Sequence, residues 1–536
     1  MRMPRFALAL FMGLPLVAAI QEPIAVDGGQ VSGIPGWGWG VREYLGIPFA
    51  APPVGNLRWK EPQPVIPWQG VRAADHFGNT CMMRPVSQNQ GAWNGVDDGR
   101  SRGLLNRSED CLYLNVWTPA ASNNEKLPVI VWIYGGGGVN GSSTEPYFDG
   151  NDMAKKGVVV VSMNYRVNIF GWFAHPELTK ESPHHSSGNY GSLDQLAALK
   201  WVKNNIVKFG GDPDKVTVFG ESGGSRSVNF LVPSPLFKGY ARGAIAESHT
   251  SLGRMRSLAE GEADGVALAK AAGKNSLAEL RAMSAEETLD AWQKKPQGLT
   301  AATVDGWFLP TDIYTIYSQG KQTDIPLITG VTNDEGGNLV ALGAPGNPQG
   351  SGTPKTLAAY NQWMRNSFGS YADKLLKLYP ANNDAEALTA YHDVQRDINF
   401  AGHRTWAKLA ATTGKSPVYV YDFSHAPPHP QGNGNNQIPQ VGAVHFSEVI
   451  YVFNNLRMRD LPWTDADRTV ADKMSSWWSN FAKNLDPNGP GLEHWAPYNP
   501  KDEYWFKIDT TSKMERFNSA GVDVLAAVQE ELRQKK

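Results

Sequence analysis

The chain has 536 residues, 41% of them hydrophobic and 19% charged, which supports a large buried core. Fifty basic and 52 acidic residues leave a net charge of −2, and no basic run stands out. This excludes an electrostatic footprint for nucleic acid. Length alone suggests three or four domains, yet no internal repeat or linker-like segment divides the sequence. One domain is expected over residues 20–536.

The first nineteen residues read as an export signal. Arg2 and Arg5 form a basic start, residues 6–16 are apolar, and Val17-Ala18-Ala19 suits a signal peptidase. The expected location is periplasmic or secreted. The apolar stretch is too short for a typical membrane span, although an uncleaved anchor is an alternative. No later segment reaches spanning length without charges.

Residues 113–117 read as an antiparallel strand at the N-terminal edge of a sheet. Leu127-Pro128-Val129-Ile130-Val131-Trp132-Ile133 reads as a buried strand that runs, through Tyr134, into Gly135-Gly136-Gly137-Gly138. Four glycines fit a flexible loop, a phosphate cradle or an anion-stabilising loop. No Gly-Lys-Ser/Thr follows them, and Gly414-Lys415-Ser416 has Leu409 where a phosphate loop needs its first glycine. The remaining reading is an oxyanion hole. Backbone N–H groups of Gly136 and Gly137 would join that of Gly223, each worth about 3 kcal/mol of barrier.

Val216-Thr217-Val218-Phe219 reads as another buried strand, and a helix is expected from Gly224. Between them lies Gly220-Glu221-Ser222-Gly223-Gly224. A strand that turns sharply into a helix at G-x-S-x-G lifts the serine hydroxyl out of the sheet edge, as in the nucleophile elbow of α/β-hydrolases. The serine still needs a base within reach of its proton.

Residues 258–295 and 354–412 read as helical segments that cap the carboxyl ends of the strands. Between them, Ile325-Pro326-Leu327-Ile328-Thr329-Gly330 leads to Thr332-Asn333-Asp334-Glu335-Gly336-Gly337. Two adjacent acids there compete to orient a base, with solvated turn carboxylates as the alternative. Residues 343–354 and 427–440 read as loops. Of eleven histidines, His184 and His185 lie in a polar loop, and His425 and His429 in a Pro-rich one. His445, in Gly442-Ala443-Val444-His445-Phe446-Ser447-Glu448, instead follows small apolar residues late in the chain. The order Ser222, acid, His445 is that expected of an α/β-hydrolase. Alternating strands and helices predict that fold, with a mixed, mostly parallel sheet flanked by helices.

Further motifs run along the chain: Gly46-Ile47-Pro48-Phe49-Ala50-Ala51-Pro52-Pro53-Val54-Gly55-Asn56-Leu57-Arg58, Glu109-Asp110-Cys111-Leu112-Tyr113-Leu114-Asn115, Asn164-Tyr165-Arg166 and Gly188-Asn189-Tyr190-Gly191-Ser192-Leu193-Asp194-Gln195. In these the sequence resembles the type-B carboxylesterases, which include cholinesterase-like and para-nitrobenzyl esterases. The resemblance implies Ser222 as nucleophile, His445 as general base then acid, and Glu335 rather than Asp334 as the orienting acid. It implies Gly136, Gly137 and Gly223 as oxyanion donors, Glu221 as a buried glutamate beside the nucleophile, and Ser248 as a serine that helps place the acid. Arg58 with Glu109, and Arg166 with Asp194, are implied as scaffold ion pairs.

Cys81 and Cys111 are implied as a disulfide, which suits an exported protein. It would close a loop holding Trp93, a candidate for the gorge lining, and contribute about 3–4 kcal/mol. No metal or organic cofactor is implied, and the expected partner is a small-molecule ester. The activity so implied is that of a secreted serine carboxylesterase working through an acyl-enzyme. A catalytically silent binding module of the same fold and a true lipase are the alternatives; retention of Ser222, Glu335, His445 and the glycines argues against the first.

Departures from the family pattern surround the pocket. Gly223 replaces the usual Ala, Gly138 a bulky residue, Phe446 a frequent Gly, and Arg226 a small residue. They leave the ester unassigned. Arg226 is expected either to meet an anionic substrate group or to serve as a helix salt bridge or surface residue.

Overall fold

The computed structural model describes residues 20–36, 40–84, 106–294, 301–335, 353–428, 442–517 and 519–534. The expected signal at 1–19, Trp93, His429 and most of the two expected loops lie outside the described residues. In chain order the strands of the central sheet are β1 (Ile34–Pro35), β2 (Arg42–Pro48), β3 (Tyr113–Thr118), β4 (Leu127–Ile133), β5 (Val159–Met163), β6 (Gly211–Glu221), β7 (Gly243–Glu247), β8 (Leu327–Thr332), β9 (Val418–Phe423), β10 (Tyr504–Ile508) and β11 (Lys513–Arg516). They lie side by side as β11-β10-β9-β8-β7-β6-β4-β5-β3-β2-β1.

Neighbours from β5 across to β10 run parallel. Strands β1 to β3 at one edge and β11 at the other pair antiparallel. This is the mixed, mostly parallel sheet expected, with residues 113–117 in an antiparallel strand. Helices cover both faces of such a sheet, so its strands are apolar without alternation. Strands β5 and β8 are buried along their whole length.

Strand β6 starts five residues earlier than its apolar run. Gly211 pairs with Leu127, the register then shifts, and pairing resumes at Val216. Asp212-Pro213-Asp214 bulges between these points, so its polar, Pro-containing pattern hides the strand.

Three helices matter for the site: α1 (Asn168–Trp172), α2 (Tyr190–Asn205) and α3 (Gly223–Leu231). Helix α3 begins one residue before the expected Gly224. The first expected helical segment forms α4 (Leu258–Ala271), α5 (Leu277–Arg281) and α6 (Ala285–Lys294). It breaks because Gly273 is left-handed and Ser276 caps α5 by accepting from the Glu279 N–H. The second forms α7 (Leu357–Phe368), α8 (Ala372–Leu378) and α9 (Asp384–Thr413), with Asn383 capping α9.

Strand β4 lies between β5 and β6. The chain order reverses there, which opens a crevice at the carboxyl ends of these strands. Three covalent and ionic ties hold the surrounding scaffold. Cys81 and Cys111 are bonded to each other. Arg58 grips Glu109 through two hydrogen bonds and donates to the Met283 carbonyl between α5 and α6. Arg166 makes bonds of 2.8 and 2.7 Å to the Asp194 carboxylate on α2, and both residues are buried.

Removing one member of a buried pair leaves an uncompensated charge. Arg166→Met should therefore cost about 3–5 kcal/mol and lower the thermal midpoint by several degrees in a calorimetric scan. An unchanged midpoint would show that the pair is dispensable.

Candidate active site

Ser222 caps α3 immediately after β6, with φ 55° and ψ −118°. That strained turn is held by its neighbours: the Ser222 N–H donates to the Glu247 carbonyl at 2.8 Å. Gly224 is obligatory for packing, because a Cβ there would lie 1.9 Å from the Ile133 carbonyl oxygen at the end of β4.

The Ser222 hydroxyl lies 2.9 Å from His445 Nε2, and His445 Nδ1 lies 2.6 Å from Glu335 Oε2. Glu335 also accepts from the Thr332 N–H at 3.1 Å. Asp334 takes a different task. Its N–H donates to the Ala443 carbonyl and its carboxylate accepts from the Gly442 N–H, so it fastens the segment that carries His445.

The glycine loop after β4 approaches the serine from the other side. Gly136, Gly137 and Gly138 all have positive φ. Their carbonyls are tied back: Gly136 O accepts from Val139 N–H, Gly137 O from Arg226 Nη2 at 2.7 Å, and Gly138 O from Asn168 N–H and Trp172 Nε1. The N–H groups of Gly136 and Gly137 donate to no described residue. A Cβ on Gly223 would sit 2.8 Å from Gly137 N, so these amides crowd one small region beside Ser222. A hydroxyl, imidazole and carboxylate in line, next to clustered amides, suit proton removal from the serine and stabilisation of an acyl oxyanion.

A sequence profile of the Carboxylesterase family matches residues 21–524. The chain belongs to the carboxylesterase family. It is 36% identical over 506 residues to a fumonisin B1 esterase of Sphingopyxis macrogoltabida, covering 91% of this chain and 87% of that one. It is 33% identical over 511 residues to the cocaine esterase of Homo sapiens, covering 89% and 86%. Among solved structures it matches a PNB esterase with a TM-score of 0.78 and 30% identity, over 94% of this chain and 99% of that one. The protein is a carboxylic ester hydrolase with the α/β-hydrolase fold.

The esterase surrounds its histidine with acids. Burial alone would depress the His445 pKa, but the Glu335 and Glu221 carboxylates reverse the sign and push it up to about 10. Burial would raise Glu335; the His445 charge and its hydrogen bond instead hold it below the usual carboxylate value. Glu221 Oε1 lies 3.2 Å from His445 Nε2, and burial pushes that carboxyl well up.

Two further acids escaped the sequence reading. Glu448, three residues after His445, is pushed up to about 7 by burial and by Glu335. Ser248 donates to Glu448 Oε1 at 2.8 Å and lies near enough to Glu335 to help lower its pKa. Glu247 is fully buried, accepts from Trp478 Nε1, and is raised by burial and by Glu448. Only the position of Glu448 in the His445 motif could have signalled it; Glu247 joins through space. Phe446 keeps a left-handed backbone, φ 74°, that glycine adopts freely, and packs edge-on against Tyr147 and Phe148. Among the described residues, no group of three His, Cys, Asp or Glu could hold a metal ion.

At Gly223 the glycine loop sits closer than an alanine allows. Gly223→Ala should displace Gly137 and lower kcat roughly tenfold, with KM little changed. Equal or higher kcat would mean that the loop accommodates the methyl group.

Proposed function

We propose that this esterase works as a serine carboxylesterase through Ser222, His445 and Glu335. Ser222 Oγ attacks the ester carbonyl while His445 Nε2 takes its proton. The N–H groups of Gly136, Gly137 and Gly223 receive the oxyanion. His445 then protonates the leaving alcohol, and water releases the acid by the same steps in reverse order of roles. Glu335 holds the imidazole tautomer and stabilises the imidazolium. The observation that supports this reading best is the unbroken line from Ser222 to His445 to Glu335, at 2.9 and 2.6 Å.

We also propose one catalytic domain over residues 20–536, exported by the leader at 1–19. The basic, apolar and small-residue order of that leader supports export, as does the Cys81–Cys111 disulfide. No helix among the described residues is long and apolar enough to cross a membrane.

Hydrolysis of p-nitrophenyl esters from acetate to laurate tests the reading. Ser222→Ala should lose about 10⁴-fold or more in kcat; a variant that keeps turnover would overturn it. Glu335→Gln should lower kcat about 10³- to 10⁴-fold. It removes the foremost upward influence on His445, so the imidazole loses its proton more easily. The acid limb of kcat/KM therefore moves to lower pH; a limb that stays in place or moves up would contradict the assignment.

A further inference from the structure

Away from the catalytic residues the molecule holds a second recess, of about 270 Å³. Ser222, Glu335 and His445 do not line it. One side comes from residues 57–63, after β2, and the other from residues 178–193, which lead into α2. Trp307 joins them from a third segment.

Much of the lining is apolar. Trp59, Leu178 and Leu193 are buried there, and Trp59 Nε1 is occupied by the Ile169 carbonyl at 2.9 Å. Polar groups are set among them. Tyr190 and Ser186 are buried in the lining, yet their hydroxyls make no hydrogen bond to a described residue. Neither oxygen is among the buried polar atoms sealed from open space, so both keep accessible surface. Burial pushes the Tyr190 phenol well up, which keeps its proton available for donation.

His184 stacks on the Trp307 indole, with ring centres 3.8 Å apart and 7° between the planes. His184 Nε2 also lies 3.8 Å from Glu61 Oε1, which moors the stack to the 57–63 side. One face of the indole is thus covered, and its other face and edge are left for a ligand. The charges of the rim balance. Lys60 and Glu61 are consecutive and opposite, and Arg281 grips the Glu181 carboxylate through two hydrogen bonds.

These features select among ligands. An ion gains little from a rim whose charges cancel. An apolar ring would cover Tyr190 and Ser186 and leave their hydroxyls unpaired, at the desolvation cost of each group. A polyhydroxylated ring meets both demands. Its hydroxyls donate and accept, and its weakly positive C–H face packs on the negative face of the indole. The volume falls below that of a drug-sized site, which holds the ligand to one ring.

We propose that this recess is a second binding site, for a neutral sugar ring, with Trp307 as stacking platform and Tyr190, Ser186, Lys60 and Glu61 as hydrogen-bonding partners. It shares no lining residue with the catalytic trio, so a bound sugar does not compete with the ester. The site stands independently of the reading of Ser222 as nucleophile.

Calorimetric titration with the methyl glycosides of glucose, galactose and mannose tests it, with p-cresol and benzoate as contrasts. At least one glycoside should bind with a Kd on the order of 1 mM, as expected for a ligand of that size. Neither contrast should bind. Enzyme inactivated by diethyl p-nitrophenyl phosphate should take up the glycoside equally well. Trp307→Ala should weaken binding roughly tenfold and Tyr190→Phe roughly three- to tenfold, both with wild-type turnover of p-nitrophenyl acetate. If Trp307→Ala does not fold, the conservative Tyr190→Phe decides alone. Four results would each overturn the site: no glycoside bound, binding that survives the substitutions, binding lost on inactivation, or binding of p-cresol or benzoate instead.

Discussion

Helix α3 starts so close to the carboxyl end of β4 that no side chain fits between them. A Cβ on Gly224 would meet the Ile133 carbonyl oxygen at 1.9 Å, and one on Gly220 would lie 2.6 Å from Gly224. Because β4 and β6 are hydrogen-bonded neighbours, this contact sets the spacing between two chain segments far apart in sequence. It forces Ser222 into a left-handed turn at the strand end. It also brings Gly223 against Gly137, so the proposed nucleophile and the proposed oxyanion loop form one structure. Stability of the sheet and geometry of the site are therefore the same property.

The second constraint is electrostatic. One histidine is set among Glu221, Glu335 and Glu448, with Glu247 behind them. Their field favours the imidazolium, which is the species the proposed mechanism forms when Ser222 gives up its proton. Burial and mutual repulsion make Glu221, Glu247 and Glu448 reluctant to ionise. The proton balance of the pocket thus belongs to the group and not to one residue. Glu145, pushed up to about 8 by burial close to the glycine loop, extends the same low-dielectric region.

What the sequence made legible was local. The elbow, the glycine run and the His445 motif are each short segments whose residue types are dictated by backbone geometry or chemistry. Their strands were readable because a sheet covered on both faces needs unbroken apolar runs. The acid choice was not readable from the residues alone: Asp334 and Glu335 are adjacent, and only the packing against Gly442 and His445 separates them. Through-space partners were also hidden. The segment after β7 lies along α3 because Ser225 donates to the His249 carbonyl and Ser251 N–H to Asn229, and nothing in the local pattern around His249 encodes that. The capping helices were legible as helical territory, but their breaks depend on single turns such as Gly273 and Gly369.

The central claim is that Ser222 is the residue that carries the acyl group. Reaction with diethyl p-nitrophenyl phosphate, followed by intact-mass and peptide-mass analysis, tests it most directly. The account predicts one diethylphosphoryl group per chain, on the peptide containing Ser222, with esterase activity lost in step. Activity retained at full labelling of that peptide, or inactivation with the adduct on another residue, would contradict it.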